Sequence, residues 1–172
     1  MPATDYEKVR GDYRPRRVRA LFIGESRPSS GRFFYIPEDL AAGLRYHTTK
    51  AFNTVFENRA GTGETFLRFF QRKGCYLDDL SLDPIDGLKR PARRTARNAG
   101  VDSLGTRILE YRPQAVVITM LGIRKQAQEA IGLSETSPRT FPLPFPAHGH
   151  QRRYVDGLVR VLRQLRSDGI LS

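Results

Sequence analysis

Short apolar runs alternate along this chain with segments whose apolar residues recur every three or four positions, which predicts buried strands separated by amphipathic helices. Residues 18–23 are rich in β-formers and end at Gly24. Residues 115–120, apolar but for Thr119, form a run of the kind a central parallel strand carries, and Leu121-Gly122 turns it into a helix over 124–131. A shorter strand over 75–80 ends in Asp78 and Asp79, and a proline-punctuated one covers 140–145. Helical spacing appears over 40–56 (Leu44, Ala51, Phe52, Val55), over 63–72 (Phe66, Leu67, Phe69, Phe70, stopped by Gly74), over 101–111, and over 151–166 with Tyr154, Leu158, Val161, Leu162 and Leu165 inward. Strands that alternate with helices predict a three-layer α/β/α sandwich around a central four-stranded, mainly parallel sheet joined by right-handed crossovers.

Two stretches break the pattern. Residues 1–17 are polar, carry Lys8, Arg10, Arg14, Arg16 and Arg17, and read as a basic extended arm. Residues 83–98 are basic and poor in large apolar side chains, with Lys89, Arg90, Arg93, Arg94 and Arg97 around Pro91, and read as a loop-like insert. The remainder, 18–172, fits one domain, because 172 residues at 39% apolar content supply a single core.

Charge narrows the partner. Lys and Arg number 29 against 18 Asp and Glu, a formal charge of +11, which favours a polyanion, with DNA or another nucleic acid ahead of an anionic membrane surface. No apolar run approaches the roughly 20 residues that span a bilayer, and the N-terminus lacks a signal-peptide core, so the expectation is a cytoplasmic, soluble protein with no membrane partner. The single cysteine, Cys75, forms no internal disulfide and by itself holds neither zinc nor an iron–sulfur cluster. No metal and no cofactor is expected.

The chemically useful clusters fall just past the strand ends, where ligands bind in open α/β sheets. Gly24-Glu25-Ser26-Arg27-Pro28-Ser29-Ser30-Gly31 follows the first strand and Pro146-Ala147-His148-Gly149-His150 the last. One of Phe33, Phe34 and Tyr35 offers an aromatic face for stacking a base. Ser29 and Ser30, with the backbone of their turn, offer a phosphate nest. His150, Arg152 and Arg153 at a helix start, and Lys89, Arg90, Arg93 and Arg94, offer contacts to a nucleic-acid backbone.

Leu21-Phe22-Ile23-Gly24-Glu25-Ser26-Arg27-Pro28, Val117-Ile118-Thr119-Met120-Leu121-Gly122 and Pro146-Ala147-His148-Gly149-His150 together resemble the uracil-DNA glycosylase superfamily, in order and spacing, over nearly the whole chain. The resemblance implies a four-stranded parallel sheet, a positively charged DNA groove, and hydrolysis of the N-glycosidic bond of a flipped, damaged base. Glu25 matches the Glu of the Gly-Glu-Ala-Pro-Gly branch, which implies that it orients water or stabilises the sugar cation, with Ser26 assisting. His148 matches the histidine that hydrogen-bonds the departing base. Asp78 falls where relatives place an Asn that reads the base edge, and a carboxylate there favours an edge rich in N–H donors. The chain departs from the family at Ser26, at the late Pro28, at Gly149-His150 and in lacking cluster cysteines. Two alternatives stay open: a non-catalytic nucleic-acid-binding module on the same fold, and a small-nucleotide or nucleoside enzyme.

Overall fold

The computed structural model describes residues 4–37 and 41–172. Its elements run α1 (Tyr6–Asp12), β1 (Ala20–Gly24), α2 (Gly43–Val55), α3 (Gly63–Arg72), β2 (Cys75–Asp79), α4 (Arg90–Ala99), α5 (Val101–Tyr111), β3 (Ala115–Ile118), α6 (Arg124–Leu133), β4 (Arg139–Pro142) and α7 (Gln151–Ser167). The helix expected from residue 40 runs as α2 from Gly43, and Leu40 itself lies outside the described residues. All four strands are parallel and lie in the order β2-β1-β3-β4. The chain therefore leaves β1 on one side to form β2 and returns to its other side for β3.

Burial explains why the strands read as they do. Every residue of β1 and β3 is buried, which requires continuous apolar runs, whereas β4 at one edge is half-exposed and tolerates Pro142. Strand alternation sends Phe22 to one face, 6.4 Å from the ring of Phe52 in α2 and 5.1 Å from Phe70 in α3. Tyr76, in register with Leu21, takes the other face and meets Tyr111 of α5 at 5.5 Å. α7 packs along α2, tied by a 2.7 Å bond between the buried hydroxyls of Thr48 and Tyr154, and α5 packs along α6. Helices thus cover both faces, giving an α/β sandwich.

β2 forms the other edge, and the outward backbone groups of Leu77 at its middle are occupied. The Leu77 N–H donates to the Tyr35 hydroxyl at 2.6 Å, and the Leu77 carbonyl accepts from that hydroxyl at 2.9 Å and from Arg10 Nη1 at 3.1 Å. An exposed edge is a template for pairing with another strand, and here it is closed at Leu77.

The described part of residues 1–17 is not an extended arm. Asp5 caps α1 by accepting from the Lys8 N–H at 3.1 Å, and Tyr6, Val9 and Tyr13 turn one stripe of the helix onto the core. Arg10 occupies that same stripe and is 2% exposed, because its guanidinium meets Asp78 and Asp79. A buried cation in the apolar stripe disguises the periodicity.

The basic stretch expected as a loop contains α4. Pro91 sits in its first turn, where a missing N–H costs nothing, and the helix buries no residue. What anchors it is polar. Arg93 and Arg97, one turn apart on one face, both reach Glu25.

Candidate functional site

A cleft of about 610 Å³ opens at the carboxyl ends of the strands, and the order β2-β1-β3-β4 reverses at β1 and β3, where open parallel sheets hold ligands. Its walls come from residues 24–28 after β1, Met120 to Gly122 after β3, the loop before α7, the start of α2, and Asp79 at the end of β2. Glu25, Ser26 and His148, far apart in sequence, line it together.

Two adjacent aspartates divide between the two sides of β2. Asp79 stands in register with Gly24, close enough that a Cβ on Gly24 would overlap its Oδ1. Oδ2 accepts from Arg10 Nη2 at 2.8 Å, while among the described residues Oδ1 has neither a hydrogen bond nor an ion pair. Asp79 is 3% exposed and lines the cleft, and Oδ1 is the carboxylate oxygen it has left to accept with. Burial pushes its pKa up, and the Arg10 guanidinium only partly reverses this. Asp78, the expected base reader, does not line the cleft. It pairs with Arg107 at 2.5 Å and with Arg10 at 3.3 Å, and accepts from the Tyr111 hydroxyl at 2.7 Å. Tyr76 and Tyr111 beside it are pushed above the ordinary phenol range, by burial first and by the Asp78 charge second.

Glu25 is present but committed. Arg93 grips both carboxylate oxygens, through Nε to Oε1 at 2.8 Å and through Nη2 to Oε2, and Arg97 Nε donates to Oε1 at 2.6 Å. Arg97 also donates to the Gly122 carbonyl at 3.1 Å, so one cluster joins α4 to the loops after β1 and β3. Burial raises the Glu25 pKa, but the two guanidiniums outweigh it and hold the carboxyl below its ordinary value. A carboxylate whose lone pairs are taken is a poor base, and one carboxylate with two guanidiniums carries net positive charge. As it stands, the cluster suits an anion better than a sugar cation.

The loop after Glu25 is fixed in pieces. The Ser26 hydroxyl accepts from the Ile85 N–H at 3.2 Å and keeps its own proton free to donate. Ser29 is spent elsewhere, since its N–H and hydroxyl both donate to Asp86 at 3.1 Å; it forms no phosphate nest in this arrangement. Ser30 lines the cleft. Phe33 and Phe34 are 4% and 7% exposed and contribute cleft wall, whereas Tyr35 is buried completely, bonded to Leu77, and is no stacking platform.

Past β4, His148 adopts the left-handed region at φ 51° and His150 ends the turn as the residue before α7. Both imidazoles are exposed on the cleft, and among the described residues neither has a hydrogen bond or ion pair. Arg153 lines the cleft; Arg152 faces solvent, 3.6 Å from Asp156. Lys89 at the N-cap of α4 and Arg90 and Arg94 within it are exposed outside the cleft wall, whereas Arg93 reaches it. The sequence reading passed over Arg27, Arg32 and Arg45, all in the cleft wall. Arg27 stands within the first motif, which was the available signal; Arg45 donates to the carbonyls of Phe34 and Ile36, a link between distant turns that no local pattern carries.

Among the described residues no three His, Cys, Asp or Glu side chains gather as a metal site, and no helix is long and apolar enough to cross a membrane. No protein-family model matches the chain, and no curated protein matches it in sequence.

Proposed function

We propose that this chain binds nucleic acid and draws one nucleotide out of its strand into the cleft, in the manner of the uracil-DNA glycosylase superfamily, with hydrolysis of the N-glycosidic bond as its chemistry. The observation that carries the reading is convergence. Glu25 and His148, which match the family's motifs, and Ser26, which departs from them, line one cleft at the switch point of a four-stranded parallel sheet. Arg27, Arg32 and Arg153 in the wall supply positive charge for flanking phosphates, and Phe33 and Phe34 an apolar surface for a base. The free Oδ1 of Asp79 accepts but, ionised, cannot donate. It therefore favours a base that presents an amino or imino N–H over one whose facing edge is a carbonyl.

In this reading the His148 imidazole hydrogen-bonds the departing base as negative charge builds on it, and the Ser26 hydroxyl holds the attacking water. Glu25 joins the chemistry only when Arg93 leaves it for a phosphate. That requirement motivates the second reading, a nucleic-acid-binding module without cleavage, which the closed Glu25 cluster favours.

The test is incubation with single-stranded and duplex oligonucleotides carrying uracil, hypoxanthine, xanthine or alkylated bases, followed by alkali. Strand scission that disappears in Glu25→Gln and His148→Ala supports cleavage. Intact strands combined with salt-sensitive retention select the module, and binding of mononucleotides that is indifferent to salt selects a small-nucleotide pocket.

A further inference from the structure

Of the five arginines in the cleft wall, two are engaged, while Arg27, Arg32 and Arg153 make no hydrogen bond or ion pair among the described residues. Arg93 is on Glu25, and Arg45 is on two carbonyls. Arg27 is different. Its guanidinium carbon lies 4.1 Å from the centroid of the Tyr6 ring, and among the described residues it makes no ion pair and no hydrogen bond, although it is half-buried and lines the cleft. Stacking engages the flat face of a guanidinium and leaves the in-plane N–H donors open, which is the geometry that takes two oxygens of one phosphate.

The platform is itself held. Tyr6 is the first residue of α1, directly after the Asp5 cap, and its ring meets the edge of Phe33 at 5.3 Å. The other end of α1 is anchored by Arg10 on Asp79, and the same guanidinium lies 5.1 Å from the Phe33 ring. A helix outside the sheet is thereby locked against the cleft wall at both ends, with an aromatic face under the one arginine there that the first motif supplies.

We infer that Tyr6 is a positioning residue that holds the Arg27 guanidinium edge-on to the cleft as a preorganised contact for a nucleic-acid phosphate, an inference that rests on the nucleic-acid reading above. Fixing the side chain before binding removes the entropy that a free arginine loses on capture. The N-terminal segment is thus part of the binding site, not a trailing basic arm.

The experiment is retention of a short oligonucleotide across a salt series by the full-length protein and by Arg27→Ala, Tyr6→Leu, Tyr6→Phe and the double variant Arg27→Ala with Tyr6→Leu, each first shown to unfold cooperatively. Arg27→Ala is expected to weaken binding about tenfold at moderate salt and to flatten the salt slope by about 0.9, the value of one lost phosphate contact. Tyr6→Leu should lose several-fold, Tyr6→Phe should bind as the wild type because the ring face remains, and the double variant should be no weaker than Arg27→Ala alone. Additive losses in the double variant, Tyr6→Phe behaving as Tyr6→Leu, or an unchanged slope in Arg27→Ala would each overturn the inference while leaving the nucleic-acid reading in place. A wild-type protein that retains no oligonucleotide even at low salt removes both.

Discussion

Arg97 and Glu25 meet at 2.6 Å from Nε to Oε1, joining a helix with no buried residue to the end of the central strand. This contact has a pH signature. The Glu25 pKa is lower in the folded chain than its ordinary 4.5, so its contribution to stability is complete above about that pH and is lost as pH falls through the lowered value. Asp79 acts with opposite sign, since its raised pKa favours the protonated fold and its contribution falls as pH rises through the folded value. The difference between wild type and Glu25→Gln isolates the first. In urea unfolding from about pH 7 down through the carboxylate range, the variant should lie on the order of 1–2 kcal/mol below wild type at the top and approach it as the pH falls below the lowered value. A constant gap would sink this account.

Arg10 is the buried cation of α1, and its removal leaves Asp78 and Asp79 short of a partner in a site that water barely reaches. Arg10→Met should destabilise by about 3–5 kcal/mol, and most of that loss should return when Asp79→Asn is added. Chemical denaturation of the four members of that cycle reads the result directly.

Gly24→Ala places a methyl group against the Asp79 carboxylate. The expected cost is about 1–3 kcal/mol of stability, with a larger relative loss of ligand binding because Oδ1 is the oxygen displaced. Equal binding at matched folded fraction would show that Oδ1 has no role in recognition.

Asp79→Asn converts an acceptor-only side chain into one that also donates. On the base panel, preference should move by about 1–3 kcal/mol from bases presenting N–H toward bases presenting a carbonyl, uracil among them. An unchanged ranking, in cleavage or in competition binding, would assign base selection elsewhere in the cleft.

Lys89 at the N-cap of α4 and Arg90 and Arg94 within it project outside the cleft wall. Replacing the three with Gln should flatten the salt dependence of oligonucleotide binding by as much as about 2.7, at about 0.9 per phosphate contact, without altering which base is preferred. A change in base preference would mean that they are closer to the pocket than their positions indicate.

The parts of the molecule that were legible from sequence are those governed by local burial. The apolar run that became β3, and the spacings that became α3 and α5 over 63–72 and 101–111, report a covered strand and two amphipathic faces. The two helices that were missed are held by charges whose partners lie far away. Arg10 reads as a polar interruption unless Asp79, 69 positions later, is known to await it, and Arg93 and Arg97 read as a solvated run unless Glu25 is placed beneath them. The cleft was legible through Glu25, Ser26 and His148 because strand ends gather there. The exchange of Asp78 for Asp79 was not, since the two differ only in which side of β2 each side chain takes. Tyr35 was misread for a similar reason. Its hydroxyl answers to the edge of a strand 42 positions away.

That edge has a consequence for the order of events during synthesis. α1 leaves the ribosome before β2, yet the carbonyl and carboxylates that receive Arg10 belong to that strand, 67 to 69 residues later. Until then Arg10 lacks the carboxylates that offset its burial, although the aromatic partners of Tyr6 and Tyr13 are already made. This helix is therefore made before the strand that completes its seat, and its docking covers the Leu77 carbonyl of β2 once that strand is in place.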